Sequence, residues 1–410
     1  MKKTTILIAY LCLIGNMSNI AEAQPSFVDL ARTTASKQLS LIPEAPDVSA
    51  HAYVLMDSKT QKIIASKHLH KKINPASLTK LMTLSIAFDA INAEQIHNDD
   101  MVRISEHAWS SKGSKMFLRQ GSMVKVADLI NGVIVASGND ASVALAEHIA
   151  GSEKAFVSLM NQTAKALGMH DTHFANATGF PNRDLYSTPY DLALLSQSIQ
   201  ERFPAFYPLF KQKWIKHNRI KQPNRNRLLW RDPSIDGMKT GHTENAGYCL
   251  SASAKRHNMR LITVVLGSPS DASRFNDTQI LLGYGFRFFR SSLIVSSKKP
   301  LTQLRLWQGE TAQLPLGLEH DFYATIPASD LNKAKLKIHL PSQINAPIQA
   351  GQVLGDVELI VANTVLEKRP LIALETIEKG NLWKQMKDTC LRSFKHFWQS
   401  SHQETTIVIG

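Results

Sequence analysis

The run Asn74-Pro75-Ala76-Ser77-Leu78-Thr79-Lys80 constrains this chain more than any other stretch of it. Asparagine suits a helix N-cap and proline the first helical position. Leu78, Leu81, Met82, Leu84 and Ile86 continue an apolar helical spacing, so the run predicts a buried helix whose first turn carries Ser77. Backbone N–H groups in a first turn lack intrahelical partners, and the helix dipole favours negative charge there. Lys80 follows three residues later, which sets its amine on the face of the Ser77 hydroxyl. A hydroxyl, an amine and spare N–H donors are the components of an acyl-transfer site. Taken alone, Ser-x-x-Lys is weak. It recurs at Ser296-Ser297-Lys298-Lys299 in a polar turn, and Ser77 alone reads equally well as a helix-start serine beside a solvated lysine.

Residues 1–23 have the form of a secretory signal: Lys2 and Lys3, a short apolar stretch from Ile6 to Ile14, and the small-residue cleavage site Ala21-Glu22-Ala23. No stretch reaches the roughly 20 apolar residues of a transmembrane helix. Of the three cysteines, Cys12 lies in the signal, Cys249 in an expected core strand and Cys390 near the C-terminus. No disulfide framework is therefore expected, despite the exported destination. The chain has no CxxC, no HExxH and no ligand spacing among its histidines, so neither a metal nor a cofactor is expected. The formal charge of +13 is interspersed along the chain and suggests an anionic neighbour, lipid headgroups or wall polymer. The export signal and the lack of a nucleic-acid-binding motif argue against nucleic acid as that partner. A length of 410 residues exceeds what one core organises, so two domains are predicted.

The pattern begins with a hairpin, Ala52 to Met56 and Lys62 to Ala65, around the turn Asp57-Ser58-Lys59-Thr60. Helical spacing covers Val126 to Ala136, then Asp140 as a cap through Ile149, Glu153 to Leu167, and Pro189 to Arg202. Strands follow at Met238 to Gly241, Gly247 to Ala254 and Arg260 to Leu266, then a helix from Asp271 to Phe289. This order predicts an α+β domain whose two ends share one antiparallel sheet. Beyond residue 294, strand-like runs at Leu301 to Trp307, Asp321 to Ile326, Leu336 to Leu340, Gln352 to Val361 and Pro370 to Ala373 predict a small all-β domain. The expected plan is a signal over 1–23, a catalytic domain over 24–290, a β domain over 294–380 and an amphipathic helix over 381–400. In that helix Trp383, Met386, Cys390, Phe394 and Phe397 share a face, and Lys384, Lys387, Arg392 and Lys395 add basic charge. Such a pattern suits the surface of an anionic membrane; a helix packed on the β domain is the alternative.

Two further tripeptides change the weight of Ser77. Ser137-Gly138-Asn139 follows 60 residues later and Lys239-Thr240-Gly241 another 102. In this order the motifs resemble those of the penicillin-recognising serine acyl-transferases, S-x-x-K, S-D-N and K-T-G. Gly138 in place of the aspartate resembles the low-molecular-mass D-alanyl-D-alanine carboxypeptidases, the group of penicillin-binding proteins five and six. The resemblance extends to Asn224-Arg225-Asn226, His242-Thr243, Asn245-Ala246-Gly247-Tyr248 and Gly285-Phe286-Arg287-Phe288-Phe289, and more loosely to Arg369-Pro370-Leu371 and Lys379-Gly380-Asn381. It implies a penicillin-binding or β-lactamase-like transpeptidase fold, covalent inhibition by β-lactams, and a periplasmic protein held peripherally on the outer face of the inner membrane.

The chemistry expected of these residues is removal of the terminal D-alanine from peptidoglycan stem peptides ending in D-Ala-D-Ala. Ser77 attacks the carbonyl; Lys80 takes its proton, which requires a neutral amine favoured by burial and by the second cation Lys239. Ser137 relays a proton to the leaving amine, and Asn139 bonds Lys80 or the substrate amide. The N–H groups of Ser77 and His242 form the oxyanion hole. Lys239, Thr240 and Gly241 face the substrate carboxylate, and by resemblance Arg225 and Arg274 steer or bind it. Class A β-lactamases place a glutamate between the second and third motifs. Here no Glu occurs between Glu153 and Glu201, and the loop carries Asp171, Asn176, Thr178 and Asn182. A penicillin-sensitive peptidase is therefore expected rather than a lactamase. A DD-transpeptidase or endopeptidase differs only in the acceptor, and a wall-binding scaffold with a vestigial site is the non-enzymatic alternative, against which the intact motifs speak.

Overall fold

Strands β1 (Ala52–Asp57) and β2 (Ile63–Lys67) form the expected antiparallel hairpin in the computed structural model, which describes residues 42–395 and 403–408. The signal segment 1–23 lies outside these residues. The hairpin turns at Asp57, whose Oδ1 accepts from the N–H groups of Lys59 at 2.8 Å and Thr60 at 3.2 Å, an aspartate-centred turn. The helices that follow are α1 (Lys80–Asn92), α2 (Val126–Asn131), α3 (Asn139–Ala150), α4 (Glu153–Ala166) and α5 (Pro189–Arg202). After the short hairpin β3 (Trp214–His217) and β4 (Ile220–Pro223) come three long strands, β5 (Ile235–Thr243), β6 (Gly247–Arg256) and β7 (Met259–Ser268), and then helix α6 (Asp271–Phe288). The main sheet has the order β2-β1-β7-β6-β5. Strand β1 pairs antiparallel with β7, from Ala52 opposite Leu266 to Asp57 opposite Leu261. Both ends of the α+β domain thus share one sheet, and β5 is left on an edge.

The helix starts follow the capping residues in the sequence. Ser152 Oγ accepts from Ala155 N at 3.2 Å, Thr188 Oγ1 from Asp191 N at 3.1 Å with Pro189 in the first turn, and Ser270 Oγ from Ser273 N at 3.0 Å. Helix α1 is buried continuously from Lys80 to Phe88, as a helix apolar around its circumference must be. Phe88 stacks on Phe206 at 4.7 Å and meets Phe203 at 5.5 Å and the edge of Phe210 at 6.4 Å. Lys80 is carried into this interior by the helix to which it belongs.

Three local departures from the expected pattern bear on the site. Helix α2 stops at Asn131, and Gly132–Ala136 forms a wide π-turn that ends with Ser137 at φ 59°, ψ 35°. Asp140 lies inside the first turn of α3, where its carboxylate accepts from Met116 N at 2.8 Å and Leu118 N at 3.1 Å. Helix α6 ends at Phe288, and the next residues already form strand β8 (Phe289–Val295).

The second domain adds β9 (Thr302–Trp307), β10 (Gln313–Gly317), β11 (Phe322–Pro327), β12 (Ala334–Leu340), β13 (Ile344–Asn345), β14 (Val353–Val361), β15 (Thr364–Ala373) and β16 (Gln403–Val408). Strand β8 pairs with β11, and the other strands form one sheet in the order β13-β9-β10-β15-β14-β12-β16. Leu304, Leu306, Leu316, Phe322, Ile338, Val357 and Leu359 fill its core. Three of these strands lie outside the expected set: β10, which carries Pro315, the two-residue β13, and β16, which is polar at its start. The β1–β2 turn touches this domain, with the Thr60 and Thr325 hydroxyls 2.5 Å apart and Lys59 Nζ 4.9 Å above the Tyr323 ring. Helix α7 (Leu382–Lys395) follows the β domain; the expected continuation to residue 400, with Phe397, lies outside the described residues. Among the described residues no helix is long and apolar enough to cross a membrane.

Candidate active site

The turn that carries Ser77 is built before helix α1 begins. Asn74 Oδ1 accepts from Ala76 N at 2.9 Å, Ala76 takes φ 47°, and Ala76–Thr79 form a 3₁₀ turn leading into α1. Asn74 thus closes an asparagine-centred turn ahead of the helix instead of capping it: Pro75 precedes the 3₁₀ turn, and neither that turn nor α1 has a side-chain cap. Edge strand β5 passes against this turn at Gly241, where a Cβ would stand 3.0 Å from Pro75 O and 3.1 Å from Ser77 N. Gly179, at φ 79°, closes on the other side; a Cβ there would lie 1.9 Å from Ala76 O. Neither position admits a side chain without moving the turn.

Lys80 is fully buried. Its amine donates to Ser77 Oγ at 3.1 Å, to Asn139 Oδ1 at 2.6 Å and to Thr178 O at 2.5 Å. Asn139 is held at its other end, its Nδ2 donating to Lys112 O at 2.5 Å and its backbone N to Ser114 O at 2.7 Å. Burial is the main cause that pushes the Lys80 amine down to about 7; the Arg225 charge adds to it and Asp140 opposes it. Arg225 is thus a cation acting on Lys80 that the sequence had not pointed to, in addition to Lys239, with which the Lys80 charge also interacts.

Lys239, also buried, donates to Ser137 Oγ at 2.9 Å and to Thr240 O at 3.2 Å. Burial, followed by the charges of Lys80, Arg225 and Arg274, holds its amine well below the usual lysine range. Two buried amines and two guanidiniums thus share one region, which favours an incoming anion. Ser77, Gly113, Asn139, Gly179, Phe180 and His242 are among the residues lining a cleft of about 500 Å³. The His242 ring lies 4.0 Å from that of Tyr248.

The two arginines differ. Arg225 is exposed, and its Nε donates to Ala136 O at 3.1 Å, next to Ser137. Arg274 is buried under β5. Its Nη1 donates to Gly241 O at 3.0 Å and Cys249 O at 3.4 Å, its Nη2 pairs with Asp271, and its ring neighbours are Tyr248 and Phe275. A guanidinium engaged this way props the strand that carries Gly241, so direct capture of a substrate carboxylate by Arg274 does not follow from its placement. Of the other expected site residues, Ser77, Asn139 and His242 line the cleft, Lys80 bonds to the first two, Gly241 packs on the Ser77 turn, and Ser137 is held by Lys239, next to Thr240.

Sequence reasoning gave no role to the loop that holds Lys80 from the far side. Asn176 Oδ1 accepts from Thr178 N at 3.1 Å, Thr178 Oγ1 at 3.0 Å and Gly179 N at 2.7 Å. This folds 176–179 so that the Thr178 carbonyl meets the lysine. The available signal was the Asn-x-Thr-Gly run itself, whose residues favour turns. Asp140, expected as a cap, instead holds the 116–118 backbone beside Asn139. Away from the cleft, ligand atoms of His339, Asp356 and Glu358 lie within 4.8 Å of one another on the β domain, a grouping that sequence spacing had not suggested. Lys368 Nζ stands 3.0 Å from Asp356 and 3.6 Å from Glu358, so a lysine already supplies the cation there.

Residues 40–270 match the family model described as D-alanyl-D-alanine carboxypeptidase. The chain belongs to that family. Residues 289–379 match the model of the penicillin-binding protein 5 C-terminal domain, in agreement with the β domain beginning at β8. The chain is 41% identical over 366 residues to the D-alanyl-D-alanine carboxypeptidase DacC of Escherichia coli, covering 87% of this chain and 91% of that one. Penicillin binding protein 5 from Haemophilus influenzae superposes with a TM-score of 0.79 at 38% identity, covering 83% of this chain and 100% of that one. Penicillin-binding protein D2 from Listeria monocytogenes in its ampicillin-bound form matches at 28% identity and a TM-score of 0.55, over 60% of this chain and 100% of that one. The family carries the penicillin-binding-protein fold and serine carboxypeptidase activity expected from the three motifs.

Proposed function

We propose that the chain removes the terminal D-alanine from peptidoglycan stem peptides through an acyl-enzyme on Ser77. The observation that carries this reading is the Lys80 amine, buried, depressed to about 7 and 3.1 Å from Ser77 Oγ. A neutral amine at this distance takes the hydroxyl proton as oxygen attacks the penultimate D-Ala carbonyl. The N–H groups of Ser77 and His242 receive the developing oxyanion, a role supported by the close approach of Gly241 to Ser77 N. Collapse breaks the peptide bond, and the leaving amine takes a proton through Ser137, which Lys239 orients. The C-terminal carboxylate of the substrate is met by Lys239 and Thr240 and steered by Arg225; Arg274 positions β5. Water then attacks the acyl carbonyl, Lys80 again accepts the proton, and Ser77 is released.

A β-lactam supplies a strained amide to the same serine, as the ampicillin-bound Listeria relative suggests, and forms a slowly hydrolysed ester. The loop between the second and third motifs presents Asn176 and the Thr178 carbonyl near Lys80, with no glutamate to activate water. Incubation with a pentapeptide ending in D-Ala-D-Ala tests the reaction: free D-Ala without peptide dimer is expected, and dimer as the main product would make the chain a transpeptidase. Labelled penicillin should acylate the protein and fail to acylate Ser77→Ala; an unlabelled wild type would favour the scaffold reading.

Export by the 1–23 signal and peripheral attachment through α7 complete the proposal. The described part of α7 faces the β domain with its polar side. Asp388 Oδ2 accepts from Gln308 N at 2.8 Å, Thr389 Oγ1 from Gln308 Nε2 at 3.1 Å, and Lys384 Nζ donates to Glu310 O at 2.6 Å. Trp383 is 81% exposed and Met386 64%, which supports an apolar face turned towards lipid instead of the domain.

A further inference from the structure

The β3–β4 hairpin and the helical turn Leu228–Arg231 carry a surface that the acyl-transfer site does not use. Trp214 is 45% exposed and Trp230 41%. Their rings meet edge to face at 5.9 Å, Lys221 Nζ lies 4.6 Å from the Trp214 centroid, and Lys213 Nζ lies 5.7 Å from that of Trp230. Exposed tryptophans clustered in this way mark a recognition surface. The segment is rich in cations: residues 202–231 contain no Asp or Glu and nine Lys or Arg, of which Arg202 pairs with Asp89 and Arg227 with Asp271. Lys216 and Arg219 are exposed and form no ion pair among the described residues.

The patch adjoins the cleft. Asn218 Nδ2 donates to Phe117 O at 2.9 Å and Gln222 Nε2 to Lys115 O at 3.3 Å, which seats the hairpin on the loop whose Gly113 and Ser114 line the cleft. Trp214 pairs with Pro223, two residues before Arg225. We propose that this face docks the glycan strand of peptidoglycan and presents its stem peptides to Ser77. The proposal rests on the reading of the site as a stem-peptide carboxypeptidase and names the polymer as its substrate. Pyranose rings offer apolar C–H faces to tryptophan, and free carboxylates of the stem peptides complement the exposed cations Lys213, Lys216, Arg219 and Lys221 beside them. A lipid surface at this position would cover the route by which the peptide enters.

The test compares soluble pentapeptide with purified insoluble peptidoglycan, using the full chain. The double variant Trp214→Ala/Trp230→Ala should release D-Ala from the polymer at least about fivefold more slowly, the loss expected when interface aromatics are truncated, while soluble-peptide turnover stays unchanged. Lys216→Glu/Arg219→Glu, which alters only exposed charges, should lower co-sedimentation with the polymer and flatten its salt dependence. Wild-type rates on the polymer in both variants would overturn the proposal. So would loss of binding to anionic lipid vesicles with polymer binding intact, which would make the patch a membrane contact. A wild type inactive on soluble peptide would sink the carboxypeptidase reading, whereas co-sedimentation would still judge the docking face by itself.

Discussion

Lys80 shows how a single residue is tuned by the helix beneath it. Its place in the fully buried α1 removes water from the amine, and the depression to about 7 follows mainly from that. A base must be neutral to act, so acylation by labelled penicillin should fall about tenfold per pH unit below pH 7 and level off above it. Arg225→Ala removes a cation that disfavours the charged amine, so the limb should move to higher pH; a profile unchanged in position would break the link between the two residues. Stability obeys the same shift. The unfolded lysine titrates near its ordinary 10.5 and the folded one near 7, so between these values the unfolded state binds more protons and stability rises with pH. Lys80→Met should therefore abolish acylation yet stabilise the fold by about 1–4 kcal/mol at neutral pH, with a smaller gain at pH 10. Denaturant titrations at the two pH values measure the difference.

Elements hold the nucleophile by close approach, and glycine marks where. Gly179→Ala would drive a methyl group into Ala76 O and displace the turn bearing Ser77; a shift of about 1 Å costs on the order of a hundredfold in rate. Gly151 is the control, also at positive φ but with nothing within 4 Å of where a methyl group would stand. Gly151→Ala should cost about 1 kcal/mol of stability and leave acylation unchanged. Equal effects on acylation in the two variants would mean that backbone strain, not contact with the turn, governs the site. The difference between these glycines was invisible in the sequence, because it depends on which loop lies across from each. The same holds elsewhere. The grouping of Ser77 with Lys80 and Asn139, and of Ser137 with Lys239, was legible in the three motifs, and α5 was legible because Thr188 and Pro189 mark its start locally. The π-turn before Ser137, the grip of Asp140 on the 116–118 backbone and the role of Asn176 were not, since each exists only through bonds to distant segments. Arg274 shows a related limit: an arginine's charge is evident in a sequence, but the backbone carbonyls that engage it are not. Strand β10, which carries Pro315, gains its place from pairing with β9 and β15.

At the scale of the whole molecule, two proposed contact surfaces differ in chemistry. One is the cleft with its aromatic, cationic border; the other is the outward face of α7. The polar contacts of Asp388, Thr389 and Lys384 fix the described part of that helix to the β domain, leaving Trp383, Met386 and Leu391 exposed. Burying a large apolar side chain contributes about 1.5–3 kcal/mol, and each 1.4 kcal/mol is a factor of about ten in partitioning. Trp383→Glu/Met386→Glu should therefore release the protein from vesicles containing anionic lipid by at least about tenfold, with acylation by labelled penicillin unchanged. This substitution is a cleaner test than truncation after residue 380. Removal of the whole tail also strips β16 from its pairing with β12 and would confuse loss of the anchor with damage to the sheet. Lys387 is exposed beside the apolar face, so binding should also weaken with salt, as attraction to anionic headgroups is screened within about 10 Å at 0.1 M. If the double variant sediments with vesicles as the wild type does, the exposed face of α7 is not a lipid contact, and the proposed attachment through this helix fails.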